Sequence, residues 1–232
     1  MPRTPSTALP GTQTPRRSAT PWLALVPLVL AVALAPGSTA SAEIVLSLEQ
    51  SFFPGEAHSL ELDLSVGSLT VEGTDGRDVE VLARFECERE DRARCLDRAE
   101  RLFLKPRVRR GILHIELKGT TRRRLQGIIS HLTIRAPRNL ALEIDIRSGE
   151  VVVSGMDSHL EIDSAAGDVD IVHRRDLVRS VDADVGVGQA DLWVGDGRIE
   201  GRGFPRSLSW SGSGSAELNV DLGAGDITIR LD

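Results

Sequence analysis

The chain has 232 residues, with 28 Lys and Arg against 34 Asp and Glu, a formal net charge of −6, 3% aromatic residues and no tyrosine. That balance excludes a general nucleic-acid binder, which presents a net basic face, and disfavours sugar stacking on displayed rings. The length is enough for one sizeable packed domain.

Residues 1–42 read as a secretory leader. Arg3, Arg16 and Arg17 give a positive start, an apolar run over 22–35 interrupted by Pro27 follows, and Ala40-Ser41-Ala42 supplies an A-x-A cleavage site. The apolar run is shorter than the roughly 20 residues that span a bilayer. An uncleaved N-terminal membrane anchor is the alternative. The Arg16-Arg17 pair is followed by Ser18-Ala19-Thr20, a weak match to twin-arginine export. No cysteine lies near the cleavage site, so lipid attachment there is excluded. Cleavage after Ala42 removes three arginines and takes the formal charge to about −9. The expected product is a single exported domain over 43–232, in the periplasm or on the cell surface. Its charge is uneven: Arg77 is the one Lys or Arg over 43–83, 84–138 is strongly basic, and acids dominate from Asn139 onward.

From Ile44 to Glu86 the chain reads as strands. Leu60, Leu62 and Leu64 alternate with Glu61 and Asp63, Val66-Gly67-Ser68-Leu69-Thr70-Val71 follows, and Gly73-Thr74-Asp75-Gly76 turns the chain. Val79, Val81, Ala83 and Phe85 form the next inward row. Cys95, Leu96, Ala99, Leu102 and Phe103 then recur at three- and four-residue spacing. This predicts an amphipathic helix over about 89–105, with Glu88, Glu90 and Asp91 at its start and Pro106 as its stop. Cys87 and Cys95 suit an oxidising compartment. On one continuous helix they would stand about 12 Å apart, beyond the roughly 7 Å Cα separation a disulfide allows. A bridge therefore requires Cys87 to end a strand and Cys95 to lie in the helix; two unpaired thiols are the alternative.

Strands resume after Pro106. Leu113, Ile115 and Leu117 face one way and Ile112, His114 and Glu116 the other, a polar loop spans 118–126, and Leu132 and Ile134 lie in a strand closed by Pro137. Aliphatic rows then follow one another: Leu140 to Ile146 on even positions, Val151 and Val153, Leu160 and Ile162, Val169 and Ile171. Less regular rows occur at Val185 and Val187, Leu192 and Val194, and Leu208 and Trp210, before Leu218, Val220 and Leu222 and then Ile227, Ile229 and Leu231. A phrase recurs among them as SGEVVV at 148–153, AGDVDI at 166–171, GRI at 197–199, GSAEL at 214–218 and AGDITI at 224–229. The step of about 18 residues between Gly149 and Gly167 matches two short strands and two turns. The expected fold is all-β, a right-handed β-solenoid or β-roll-like stack with one inserted helix; a β-sandwich is the alternative.

With Val66 to Val71, Ser148 to Val153, Ala166 to Ile171 and Ala224 to Ile229 in place, the chain resembles the bacterial putative-adhesin family, whose exported domains repeat S-G-D-V-x-V phrases. The resemblance covers most of the expected mature chain, from about Leu60 to Asp232. It implies an exported, solenoid-like, non-catalytic domain and brings no catalytic residues.

Candidate chemistry is sparse. Asp168 and Asp226 follow glycines, but the G-G-x-G-x-D nonapeptide of calcium rolls is absent, so these are read as corner residues bonding their own turns. His58, His114, His131, His159 and His173 form no metal set; His114 and His131 would face each other if their strands paired, without a carboxylate or thiol beside them. Ser211-Gly212-Ser213-Gly214-Ser215 has the wrong order for a nucleophile elbow, and Gly186-Val187-Gly188 lacks the third glycine of a dinucleotide site. Trp193 and Trp210 lie in strand rows and are read as packed. The surface feature that stands out is basic: Arg107, Arg109 and Arg110 before one strand and Arg122, Arg123 and Arg124 after it, guanidiniums able to grip phosphate or carboxylate in a bidentate manner. A solvated positive face is the plain reading of the same residues, and a hairpin would hold Arg109 and Arg110 at the end opposite the loop.

The expectation is a non-enzymatic structural or interaction protein of the bacterial cell envelope, adhesin-like, without cofactor, metal, nucleic acid or small-molecule substrate. Its partner would be an envelope protein, or an anionic polymer or lipid. The second reading is a module for anionic envelope components using the six arginines; the third is a hydrolase on a β-solenoid, with acids clustered on one long face.

Overall fold

The computed structural model describes residues 44–87, 92–118 and 128–232. The leader expected over 1–42, the acidic residues Glu88, Glu90 and Asp91, and Arg122, Arg123 and Arg124 lie outside the described residues. The elements are β1 (Ile44–Phe52), β2 (Ser59–Thr74), β3 (Val79–Cys87), α1 (Arg92–Ala99), β4 (Phe103–Arg109), β5 (Ile112–Lys118), β6 (Ile128–Pro137), β7 (Ala141–Ser154), β8 (Leu160–His173), β9 (Val178–Val194), β10 (Gly197–Glu200), β11 (Arg206–Ser211) and β12 (Ala216–Leu231). The protein is mostly β, and its strands form one mixed sheet in the order β1-β3-β6-β2-β7-β8-β12-β9-β10, with β5 and β4 joined at β2 and β11 at β9.

The centre of the sheet is five long parallel strands, β2, β7, β8, β12 and β9, held in register. Each merges two of the aliphatic rows seen in the sequence. In β7, Leu142, Ile144 and Ile146 are buried, then Val151 and Val153; the inward phase shifts by one residue across Gly149. Straight, the 14 residues of β7 would extend about 45 Å. Yet Leu142 lies beside Leu160 in parallel register, and the five residues 155–159 reach only about 20 Å. The strand must therefore double back, and it does so at its glycine. Each long strand thus has a first arm before the glycine and a second arm after it, and the even positions of one arm and odd positions of the other line the same core.

Gly67, Gly149, Gly167, Gly225 and Gly188 stack in this order across the five strands, with φ between 130° and 146°. A Cβ on Gly149 would overlap the carbonyl oxygen of Gly67, one on Gly167 that of Gly149, one on Gly225 that of Gly167, and one on Gly188 that of Gly225. The corner is therefore a backbone-to-backbone contact that no side chain can enter. Two phrases from the sequence do not belong to it. Gly197 opens β10, antiparallel to β9, and Gly214 precedes β12; Gly188 is the fifth member. At that corner Val187 turns outward and is 63% exposed, not a core residue.

Antiparallel strands finish both ends: β3 and β1 on β6 and β4 on β5 at one, β10 and β11 on β9 at the other. Chain order is broken at β6, which lies between β3 and β2, and at β12, which lies between β8 and β9. The helix is shorter than its periodicity predicted. It ends at Ala99, Leu102 closes a turn on the Ala99 carbonyl, and Phe103 begins β4. Pro106 lies inside β4, which among the described residues pairs with β5 alone, the edge position where a missing N–H is tolerated. The three-and-four spacing ran on because Leu102, buried in a turn, and Phe103, 49% exposed at the start of a strand, happen to continue it. Cys87 at the end of β3 and Cys95 in α1 form a disulfide with Cα atoms 5.9 Å apart, the strand-then-helix arrangement that geometry required.

Candidate functional site

Arg107 and Arg109 project from β4, and Arg110 with Gly111 makes the β4–β5 turn, at φ 53° and 78°. Two central residues of positive φ are the two-residue turn that matches strand twist. All three arginines are exposed. Phe103 pairs with Lys118 and Arg109 with Ile112, so Lys118 stands at the end of the hairpin opposite Arg109 and Arg110, and 119–127 lie outside the described residues.

Beside this hairpin lies a feature the sequence reading passed over. Outward positions of the first arms form two columns across the strands. One runs Glu61, Glu143, Glu161, Asn219 and Asp182; the other runs Asp63, Asp145, Asp163, Asp221 and Asp184. Neighbours in a column are about 4.8 Å apart, the strand spacing. The signal was a repeat of its own: ELD at 61–63, EID at 143–145 and 161–163, DAD at 182–184 and NVD at 219–221. These pairs read singly as solvated strand faces; only the parallel register makes them rows. A shallow groove runs across the aspartate row and is also lined by Arg147 and by Pro205 of the β10–β11 loop.

Electrostatics of the rows follow from this geometry. Burial, with Asp163 and Asp184 on either side, pushes the Asp221 carboxyl above its ordinary value. Burial, with Glu61 and Glu161 beside it, does the same to Glu143. A carboxyl raised in the folded state stabilises the fold below its ordinary pKa, and that stability is lost as pH rises through the folded value. Glu116, held below its ordinary value chiefly by its hydrogen bond to Lys118, works in the opposite sense. Like charges directly opposite each other are destabilising by about 0.2–1 kcal/mol per pair. Asp163→Asn removes repulsion with both Asp145 and Asp221, and is expected to raise the melting temperature at pH 7 by a few degrees. The gain should shrink when the melts are repeated near pH 4; an unchanged or lower melting temperature at pH 7 would contradict the account.

The remaining candidates resolve separately. His114 and His131 do not face each other, because β5 and β6 both join β2 and do not pair. Each does have a carboxylate: His114 Nδ1 is 2.9 Å from Glu61, and His131 Nε2 is 3.5 Å from Glu86. Ser68 Oγ lies 2.8 Å from His131 Nδ1, completing a serine–histidine–glutamate row. That row lies on a flat strand face, with β6 and β7 on either side of Ser68. Backbone N–H groups committed to neighbouring strands cannot converge on an oxyanion, so the row is a cross-strand polar contact. The corner aspartates bond the next strand and not their own turn: Asp168 Oδ1 accepts from the Asp226 N–H at 3.2 Å, and Asp226 Oδ1 from the Gln189 N–H at 2.9 Å. Among the described residues no group of three or more His, Cys, Asp or Glu is placed to hold a metal ion. Trp210 packs against the core, whereas Trp193 points outward, 38% exposed, with the Arg198 guanidinium 5.5 Å from its ring.

No family model matches the chain, and no curated protein matches it. Solved structures do resemble it. A putative cell adhesion protein from Clostridium sporogenes aligns over 81% of this chain and 99% of its own, with 17% identity and a TM-score of 0.49. A putative adhesin from Bacteroides fragilis aligns over 80% and 97%, with 9% identity and a TM-score of 0.27. A putative adhesin from Parabacteroides distasonis aligns over 80% and 97%, with 6% identity and a TM-score of 0.25. Among the described residues no helix is long and apolar enough to cross a membrane.

Proposed function

We propose that the protein is an exported, non-catalytic structural or interaction protein of the bacterial envelope, adhesin-like, built as a right-handed β-solenoid. The observation that supports this reading is the in-register parallel stack itself. It commits the apolar positions to one core and leaves broad, flat outer faces of charged side chains, the surface of a protein that touches partners over an area. A solenoid accounts for both arms lying on one strand, where a sandwich would assign them to separate sheets; the right-handed sense follows the handedness of parallel crossovers. The test is retention of the purified protein on isolated bacterial envelopes. Retention without turnover of envelope polysaccharides supports the reading, and either free recovery of the protein or polysaccharide hydrolysis overturns it.

A second reading is supported by the exposed guanidiniums of β4: binding of anionic lipid head groups or cell-wall polymers through Arg107, Arg109 and Arg110, together with Arg122, Arg123 and Arg124. Replacing all six by Ser is expected to weaken sedimentation with phosphatidylglycerol vesicles or teichoic acid at least tenfold, since each arginine near an anionic surface contributes about 1 kcal/mol. Equal retention of the variant and the parent would end this reading.

A further inference from the structure

The β4 end of the sheet differs in charge from the acidic strands beyond it. The stretch 84–138 holds 16 Lys and Arg against 7 Asp and Glu, and it supplies the end of β3, then α1, β4, β5 and β6. These strands lie on one side of β2, and α1 packs on β3 and β1 at the same end. β4 is the edge strand there, and Lys105, Arg107, Arg109 and Arg110 are all exposed. The one acid of the hairpin, Glu116, is held by Lys118. Apolar side chains stand among these cations. Val108 lies on the same row of β4 as buried Leu104, yet it is 50% exposed. Phe53, in the turn between β1 and β2, is 72% exposed. That turn closes through the Ala57 N–H on the Pro54 carbonyl, and the His58 N–H then donates to the carbonyl of Gly111 in the β4–β5 turn. The loop bearing Phe53 is thereby tied to the tip of the basic hairpin.

We propose that this end docks on a membrane surface of anionic lipids, Phe53 and Val108 entering the boundary between head groups and acyl chains while the cations of β4 and its turn bind lipid phosphates. The proposal rests on the arginine reading above and goes beyond it, choosing a lipid surface over a polymer and adding an apolar insertion. A soluble polyanion gains nothing from exposed Phe and Val beside the arginines, whereas a bilayer takes both. Neither part suffices alone, since stable anchoring combines an apolar insertion with a basic patch. The depth is limited. The free edge of β4 carries N–H and C=O groups that hydrocarbon cannot satisfy, so only side chains pass the head groups. Glu56 shares the turn with Phe53 and is outnumbered by the four cations of β4 and its turn. The acidic columns do not oppose this approach. Their first members lie on β2, two strands from β4 and about 10 Å away, beyond the screening length of about 8 Å. Laying the first-arm face flat on the surface would bring those columns against lipid phosphates, so the β4 edge leads.

Phe53→Trp reports the insertion, with the parent protein as the tryptophan baseline. On phosphatidylglycerol vesicles its added emission is expected to shift to the blue and to be quenched by lipids brominated near the head group, not by lipids brominated at the chain end. Phe53→Ser/Val108→Ser is expected to sediment with these vesicles at least tenfold more weakly than the parent, from the apolar area lost. Arg107→Ser/Arg109→Ser/Arg110→Ser is expected to lose at least tenfold as well, and phosphatidylcholine vesicles to retain none of the three proteins. Far-ultraviolet circular dichroism checks that each variant is folded. Parent bound to vesicles with Phe53→Trp emission unchanged, or equal binding by Phe53→Ser/Val108→Ser, would overturn the insertion and leave the arginine reading standing. Equal binding to phosphatidylcholine would overturn the recognition of charge. Retention on teichoic acid but not on vesicles would assign the arginines to a polymer and overturn the membrane docking. A parent dimer lost in Phe53→Ser/Val108→Ser would assign the apolar patch to a second copy and overturn it too. Binding to neither vesicles nor teichoic acid would end both readings.

Discussion

Gly167→Ala is expected to prevent the domain from folding, or to destabilise it by more than about 4 kcal/mol, the range reserved for strained backbone and overpacked cores. Gly167 is the middle of the glycine stack, with φ 130°. An alanine there faces two penalties at once. Its Cβ would overlap the Gly149 carbonyl oxygen, a main-chain atom pinned by the ladder on both sides. Its backbone would also have to hold a conformation that side-chain-bearing residues rarely adopt. Neither is relieved by a rotamer change, so β7 and β8 must separate at the corner, and the hydrogen bonds around it go with them. Gly55→Ala is the control. Gly55 also has positive φ, 62°, but a Cβ there meets nothing within 4 Å, and the cost should be about 1–2 kcal/mol. Thermal unfolding followed by circular dichroism compares the two. A Gly167→Ala melting temperature within a few degrees of the parent would show that the corner is not a close backbone contact.

Removing the disulfide has the next largest expected effect. Cys87 and Cys95 are separated by 8 residues, and a closed loop of that size is worth about 2.5 kcal/mol in loop-closure entropy. For a domain of this size each kcal/mol shifts the melting temperature by about 2–4 °C, so Cys87→Ser/Cys95→Ser should melt some 5–10 °C lower. The loss should be local. The eight-residue α1 is too short to be stable by itself, and Cys95, Ala99 and Leu102 are its buried contacts. Amide exchange should therefore rise over α1 well before it rises in β7 and β8. Uniform exchange through the whole sheet, or an unchanged melting temperature under reductant, would assign the bridge a different role.

The two kinds of charge on the molecule differed in how far they could be read in advance. The arginines of β4 were visible as a run, and a hairpin was enough to place them. The acidic columns were present as five short motifs at irregular distances along the chain, and nothing local marks them as neighbours. Coulomb repulsion between Asp145, Asp163, Asp221 and Asp184 exists only because β7, β8, β12 and β9 lie side by side. The histidines show the same limit. Glu61 faces His114 and Glu86 approaches His131, contacts across strands that begin far apart in the chain.

Alternation of aliphatic and polar residues did not make β4, read as the end of a helix, or the exposed β10 legible. It did determine by itself the buried side of β2, β3, β7, β8 and β12, and the cysteine spacing required a strand-to-helix break. That much is local, since a period of two sets the face and a turn residue sets the end. Which strand lies beside which was decided by the tertiary structure. All the long strands carry near-identical inward rows, so hydrophobic burial cannot choose among their pairings. The stacked glycines fix the register, because a Cβ at the corner would overlap the neighbouring carbonyl oxygen, but all five strands carry such a glycine and so the order is not set there either. In that register Gly188 stands beside Gly225, and β12 lies between β8 and β9. Val187 and Trp193 turned outward, and scattered acidic pairs became continuous rows.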